Sequence, residues 1–322
     1  MSVTKLNKDL EHLNMQAAEV IKVESSAWDS IAGMKAQKEI IEKKILLPLT
    51  NKKLAKKHGV TLPKALLLFG PPGTGKTSFT KGIAGKLGWS LVEISPSELV
   101  TEGLHFEAQQ LKQIFSQLNG LKNIVVFIDE FEELAINAEK ATKAERMLSN
   151  EMLKQIPQFR KNEQVLLVCA TNHIHHLNSA LLRPGRFDFI LPIGPLDKEA
   201  ASAVISIYLE KINHNTIDLE LVAEKAKNFT PADIESVIAQ VAQSAFEKEL
   251  SSKHDYKVST QDILKYLSIQ KPTINKEDME LFQKQIKEYG RCASGCIYCF
   301  TGEGQNKSCN KEVEKLNSNT RI

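Results

Sequence analysis

Leu66-Leu67-Leu68-Phe69-Gly70-Pro71-Pro72-Gly73-Thr74-Gly75-Lys76-Thr77 is the stretch that decides how this chain is read. Four apolar residues with strand character run into G-x-x-x-x-G-K-T, and a helical pattern takes over from Ser78. The glycines let the backbone fold back and aim several N–H groups, with the positive end of the next helix, at one anionic point. The spacing therefore predicts a phosphate-binding loop from Gly70 to Thr77, continued by Ser78. Lys76 supplies a mobile positive charge for the β- and γ-phosphates of a nucleotide, and the Thr77 hydroxyl is a ligand for Mg2+.

Outward from that loop, apolar runs alternate with helical patterns. Trp89 to Ile94 reads as a strand, Glu107 to Leu118 as a helix, Ile124 to Ile128 as a buried strand, Glu139 to Ile156 as a helix and Val165 to Ala170 as another buried strand. Uninterrupted apolar strands between helices imply an α/β parallel sheet with helices on both faces. Upstream, a helix is expected from about Lys35 to Leu47, ended by Pro48, and an amphipathic helix over residues 5 to 21. From Asp197 onward the strand patterns stop. Asp197, Thr230-Pro231-Ala232-Asp233 and Ser259-Thr260-Gln261-Asp262 each carry helix-start chemistry before apolar residues at helical spacing, so a small α-helical unit follows. The expected organisation is a short segment over 1–27, an α/β unit over 28–195, a helical unit over 196–290 and a cysteine-bearing tail over 291–322.

Composition narrows the function classes. The 322 residues carry 42 basic against 39 acidic groups, a net charge of +3, which gives no electrostatic footprint for nucleic acid. No apolar run approaches the length of a membrane span and the first residues lack a secretory pattern, so the expected location is the cytoplasm. The Lys52, Lys53, Lys56, Lys57 cluster reads as a solvated helix face.

A phosphate loop alone only binds, whereas hydrolysis needs carboxylates. Val125-Val126-Phe127-Ile128-Asp129-Glu130 places two at the carboxyl end of a strand, where open α/β sheets hold their ligands. Asp129 would hold Mg2+ through its water shell, and Glu130 would orient and deprotonate the attacking water. Val168-Cys169-Ala170-Thr171-Asn172 ends in an amide able to reach both the γ-phosphate and that water. In Leu181-Leu182-Arg183-Pro184-Gly185-Arg186-Phe187-Asp188, two guanidiniums three residues apart suit charge stabilisation on a transferring phosphoryl group.

The order W-D-S-I-A-G, G-P-P-G-T-G-K-T, V-V-F-I-D-E, A-T-N, L-L-R-P-G-R-F-D and F-T-P-A-D-I-E, between Trp28 and Gly290, resembles the AAA ATPases, in the branch with katanin, spastin, the proteasomal ATPases and the membrane-anchored AAA proteases. The resemblance implies ATP in a cleft between the α/β unit and a helical lid, and usually a ring of six subunits. It implies that Arg183 and Arg186 act as arginine fingers on ATP held by the adjacent subunit, and that Ile31 to Gly33 and Ala232 face the adenine. The branch usually has G-A-D where this chain has Pro231-Ala232-Asp233.

The larger departure is Gly103-Leu104-His105. Threading members of the family place aromatic-aliphatic-glycine there; Phe106 is the nearest aromatic. Three readings follow: an ATP-driven remodeller of a protein partner, a nucleotide-gated scaffold or regulatory ring that does not thread, and, least supported, a nucleic-acid-handling ATPase. His173, His175 and His176 read as solvent-exposed imidazoles, and the absence of H-E-x-x-H excludes a zinc protease centre of that kind. Cys292, Cys296 and Cys299, with the spacing C-x3-C-x2-C, have too little chain after them for the barrel of a radical SAM enzyme; with Cys309 they are reduced thiols, lipid-attachment sites or a metal site.

Overall fold

A computed structural model describes residues 18–100, 106–137 and 141–291. Its centre is a six-stranded sheet in the order β1-β3-β4-β5-β2-β6, with β1 at Ala18–Ile21, β2 at Ala65–Phe69, β3 at Ser90–Ile94, β4 at Ile124–Ile128, β5 at Val165–Thr171 and β6 at Phe189–Pro192. Strands β2 to β6 run parallel, while β1 pairs antiparallel with β3, Ala18 opposite Ile94. Between and after the strands lie helices α1 (Lys35–Ile41), α2 (Leu47–Thr50), α3 (Lys52–Lys57), α4 (Lys76–Leu87), α5 (Phe106–Leu118) and α6 (Lys143–Phe159). Five more follow the sheet: α7 (Lys198–Leu209), α8 (Leu219–Lys225), α9 (Pro231–Ser252), α10 (Thr260–Ile269) and α11 (Lys276–Tyr289).

The period of two along each strand explains the continuous apolar runs. Ala65, Leu67 and Phe69 enter the core on one face of the sheet, with Val126 and Ile128, while Leu66 and Leu68 enter the other, with Val125 and Phe127. A third core, mostly of helices, gathers Val204, Ile205, Val222, Val237, Ile238 and Ile263. The α/β class with a helical region after the sheet is as expected.

Four local readings change. Residues 18–21 of the expected amphipathic helix over 5–21 instead extend the sheet, because Val20 packs on its core and the backbone pairs with β3; the rest of that segment lies outside the described residues. The helix from Lys35 does not end at Pro48: a π-turn over Glu42–Leu46 widens the ladder just before the proline, and the chain stays helical to Thr50. Helix α6 starts at Lys143, where Thr142 and Glu145 form a capping box. Last, β6 and α11 follow no pattern identified above. Phe282 and Ile286 of α11 leave the helical core and return to the sheet, with the Phe282 ring 6.0 Å from Phe69 at 63°. Arg291 then pairs with Ile190 of β6 through two backbone hydrogen bonds of 2.9 Å.

Candidate nucleotide-binding site

The carboxyl ends of β2, β4 and β5 converge because β5 lies between the other two. They open on a cleft of about 470 Å3 lined by Gly73, Gly75, Lys76, Thr77, Ser78, Asp129, Glu130 and Asn172 from the sheet side, and by Tyr208, Pro231, Ala232 and Glu235 from α7 and α9. Pro72 lines it too, while Gly70 and Pro71 act through their carbonyls.

Lys76 is the pivot. It is 7% exposed, and its Nζ donates to Gly70 O at 2.9 Å, Pro71 O at 2.9 Å and Asn172 Oδ1 at 2.7 Å. All three ammonium protons therefore have oxygen acceptors. Burial lowers its pKa to about 8, against the upward pull of Asp129 and Glu132. Asn172 is held in turn, its backbone N–H donating to Glu132 Oε1 at 3.2 Å. Glu132 is a positioning residue the motif reading missed; only its place two residues beyond Glu130 signalled it.

Thr77 Oγ1 donates to Asp129 Oδ2 at 2.9 Å, so a hydroxyl and a carboxylate stand side by side at the start of α4. That oxygen pair fits a hard cation such as Mg2+. Helix α4 begins after Gly75 without any side-chain cap, leaving its first N–H groups aimed at the cleft. Glu130 is exposed in the same cleft with φ of 48°, a left-handed conformation uncommon outside glycine, and its N–H donates to Asp129 Oδ1 at 3.0 Å. Glu93 on β3 is a further carboxylate lining the cleft, and burial together with the charge of Asp129 raises its pKa.

The loop tip meets the helical region directly. Gly73 has φ of +74°, and a Cβ there would stand 2.9 Å from Thr230 Oγ1 and 3.3 Å from Ala232 Cβ. Helix α9 starts at this point despite the missing glycine of the G-A-D pattern. Pro231 occupies the first turn, and Thr230 and Asp233 form a capping box. Asp233 is buried and also accepts from Thr273 Oγ1 at 2.6 Å.

Beside the cleft is a smaller apolar pocket of about 140 Å3, lined by Ile31, Met34, Thr74, Phe79, Val204 and Tyr208, among others. Trp28, packed edge-on to Phe79 at 6.1 Å, anchors the segment that brings Ile31 there. Gly33 does not line it; Gly33 lies so close to α7 that a Cβ would fall 1.9 Å from Ala200 Cβ. Ala232 lines the larger cleft, not this pocket.

Arg183 and Arg186 stand apart. They occupy the turn before β6, Arg183 exposed and Arg186 half-buried, and no arginine lines the cleft among the described residues. The turn is built to hold a shape. Asp188 accepts the backbone N–H groups of Lys64 at 2.8 Å and Ala65 at 3.0 Å and pairs with Arg160, which also donates to Gly185 O. Arg291 brackets the same turn, donating to Leu182 O at 3.1 Å and Phe187 O at 3.3 Å. The Gly103-Leu104-His105 loop and all four tail cysteines lie outside the described residues, and the side chain of Phe106 is likewise undescribed. Among the described residues no helix is long and apolar enough to cross a membrane.

Comparison with known proteins agrees with this geometry. Residues 66–195 match the family described as ATPase family associated with various cellular activities (AAA). A proteasome-activating nucleotidase of Methanococcus maripaludis is 32% identical over 261 residues, covering 79% of this chain and 64% of the relative. Protein SAV of Sulfolobus acidocaldarius is 28% identical over 300 residues, covering 84% of this chain and 38% of the relative. The chain thus spans less than two thirds of the length of either. The crystal structure of the FIGL-1 AAA domain in complex with ADP superposes with a TM-score of 0.72 at 21% identity, covering 88% of this chain and 97% of that one, which speaks to the fold. With its motifs in order and its sheet and cleft so arranged, the chain carries an AAA ATPase domain matched over residues 66–195, and such a domain implies nucleotide binding.

Proposed function

We propose that this chain is a cytoplasmic, ring-forming ATPase, with six subunits as the expected ring, that hydrolyses ATP to ADP and phosphate and uses the motion of its helical region to remodel a protein partner. The nucleotide would lie with its base in the apolar pocket at Ile31 and its phosphates over Gly73 to Ser78, where phosphate oxygens compete with the Gly70 and Pro71 carbonyls for Lys76. Thr77 and Asp129 would hold Mg2+, which neutralises charge building on the phosphate oxygens. Glu130 takes a proton from water as the water oxygen bonds to the γ-phosphorus. The bond from that phosphorus to the bridging oxygen breaks, and ADP leaves with the electron pair. Asn172 aligns the water and the γ-phosphate.

The observation that carries the reading is the missing guanidinium. The cleft collects a lysine, a hydroxyl, an amide and carboxylates but no arginine among its described lining, while Arg183 and Arg186 are held on a braced outward turn. This supports their action on the neighbour's nucleotide, a contribution of about three to five orders of magnitude in rate. Mixing Arg183→Ala with Lys76→Ala subunits tests it: each alone is inactive, and the mixture recovers turnover at interfaces joining an intact finger to an intact loop. No recovery over the full range of mixing ratios would refute action between subunits. A non-threading regulatory ring is the second reading, favoured by Gly103-Leu104-His105 in place of aromatic-aliphatic-glycine.

A further inference from the structure

Immediately beyond Asn172 the chain makes a tight 3-10 turn, Ile174–His176, that drives Ile174 into the core at 1% exposure and leaves His173, His175 and His176 at the surface. Exposure is as expected from the sequence; convergence is not. The ring centroids of His175 and His176 are 4.2 Å apart, those of His173 and His176 5.1 Å, and those of His173 and His175 6.0 Å. One ring nitrogen from each residue lies within 4.8 Å of the other two.

The backbone holds them there. His176 N–H donates to His173 O at 2.8 Å, His173 N–H to Thr171 Oγ1 at 3.0 Å, and Asn137 N–H to His176 O at 2.7 Å. Three exposed side chains of one ligand type, gathered on a turn pinned by these bonds and by the buried Ile174, amount to a donor set.

We propose that His173, His175 and His176 bind a divalent transition-metal ion of the Zn2+ or Ni2+ class, with a further coordination position open to water. Imidazole nitrogen selects these ions over Mg2+ and Ca2+, which require oxygen ligands, so the site is chemically separate from the Thr77 and Asp129 oxygens. Two nitrogens on one tetrahedral Zn2+ stand about 3.3 Å apart, so the rings need to close by about 1.5 Å, within the reach of side-chain rotation. A ligating imidazole is ordinarily steadied at its second ring nitrogen. Gln285 of α11, 6% exposed, sets its amide nitrogen Nε2 3.0 Å from His175 Nδ1; with that amide flipped so that Oε1 takes the place of Nε2 and accepts from Nδ1–H, it provides that support. A metal bound here fixes the turn that follows Asn172 just beyond β5, a turn already in contact with Gln285 of α11, and so restrains the amide that contacts Lys76.

The test uses the full chain with Cys292, Cys296, Cys299 and Cys309 changed to Ser, so that thiols cannot compete, in excess Mg2+, with Zn2+ added by calorimetric titration. The expected result is one equivalent bound, weakened at least about tenfold by His175→Ala and again by His176→Ala, with ADP affinity unchanged in both exposed-site variants. Absence of Zn2+ uptake by the chain lacking these four cysteines, or uptake unaltered when all three histidines are alanine, would overturn the proposal.

Discussion

Lys76 is charged in a place that resists charge. Burial holds its pKa near 8, and the carboxylates of Asp129 and Glu132 offset only part of that. A phosphate group binds the ammonium, not the amine, so the sign follows: nucleotide affinity is full below about pH 8 and falls as pH rises through it. The fall is by up to about tenfold per pH unit, until the bound form itself loses the proton. ADP affinity measured between pH 7 and 9.5 checks this, and Lys76→Met removes the slope along with most of the binding. Glu130 is the complementary case. Its left-handed backbone sets the carboxylate in the cleft beside Asp129, so Glu130→Gln should retain ATP and lose turnover by at least about a hundredfold. Filter binding and phosphate release, measured together, separate the two effects. Residues of this kind were readable from the sequence because their chemistry depends on type and spacing. Glu132 and Glu93 were not, since what distinguishes them is the direction in which a turn and a sheet register point a common side chain.

Elements that bury an uninterrupted apolar run, β2, β4 and β5, were legible because every residue in them faces a core. Those whose partners are distant in sequence were not. β1 has four residues and is decided by pairing with β3; β6 is short; α11 is placed by Phe69, more than two hundred residues earlier in the chain. The start of α9 shows the converse: the loss of a glycine at Pro231 matters little because the capping box of Thr230 and Asp233 suffices to begin the helix. The turn bearing Arg183 and Arg186 depends on both kinds of element, since Arg291, just beyond α11, holds the carbonyls of Leu182 and Phe187 on either side of it. Arg291→Ala should therefore lower ATP turnover by about tenfold while leaving ADP affinity unchanged, with partial recovery in Arg291→Lys. Asp188→Ala, which orphans the N–H groups of Lys64 and Ala65 and takes the carboxylate from the half-buried Arg160, should destabilise the chain by about 1–3 kcal/mol in denaturant melts.

At the scale of the molecule, three cores among the described residues and the cleft at the carboxyl ends of the strands divide the work. Two cores fix the sheet that leads to the loop over residues 70–77, the carboxylates and Asn172, and the third fixes the helices that line the cleft from the other side. The turn that carries Arg183 and Arg186 is braced and lies outside the described lining of its own cleft, so on the proposed function a single subunit has Lys76 and Mg2+ but no guanidinium to meet the charge that develops on the phosphoryl group. On the proposed function, catalysis belongs to the interface between subunits. It is tested most directly by measuring ATP turnover per subunit, with Mg2+ present, as protein concentration is raised while sedimentation follows the assembly state. The account predicts turnover that is negligible for the single subunit and rises steeply with assembly, and that stays negligible in Arg183→Ala at every concentration. Brisk turnover, independent of concentration, by a species that sediments as one subunit would contradict it.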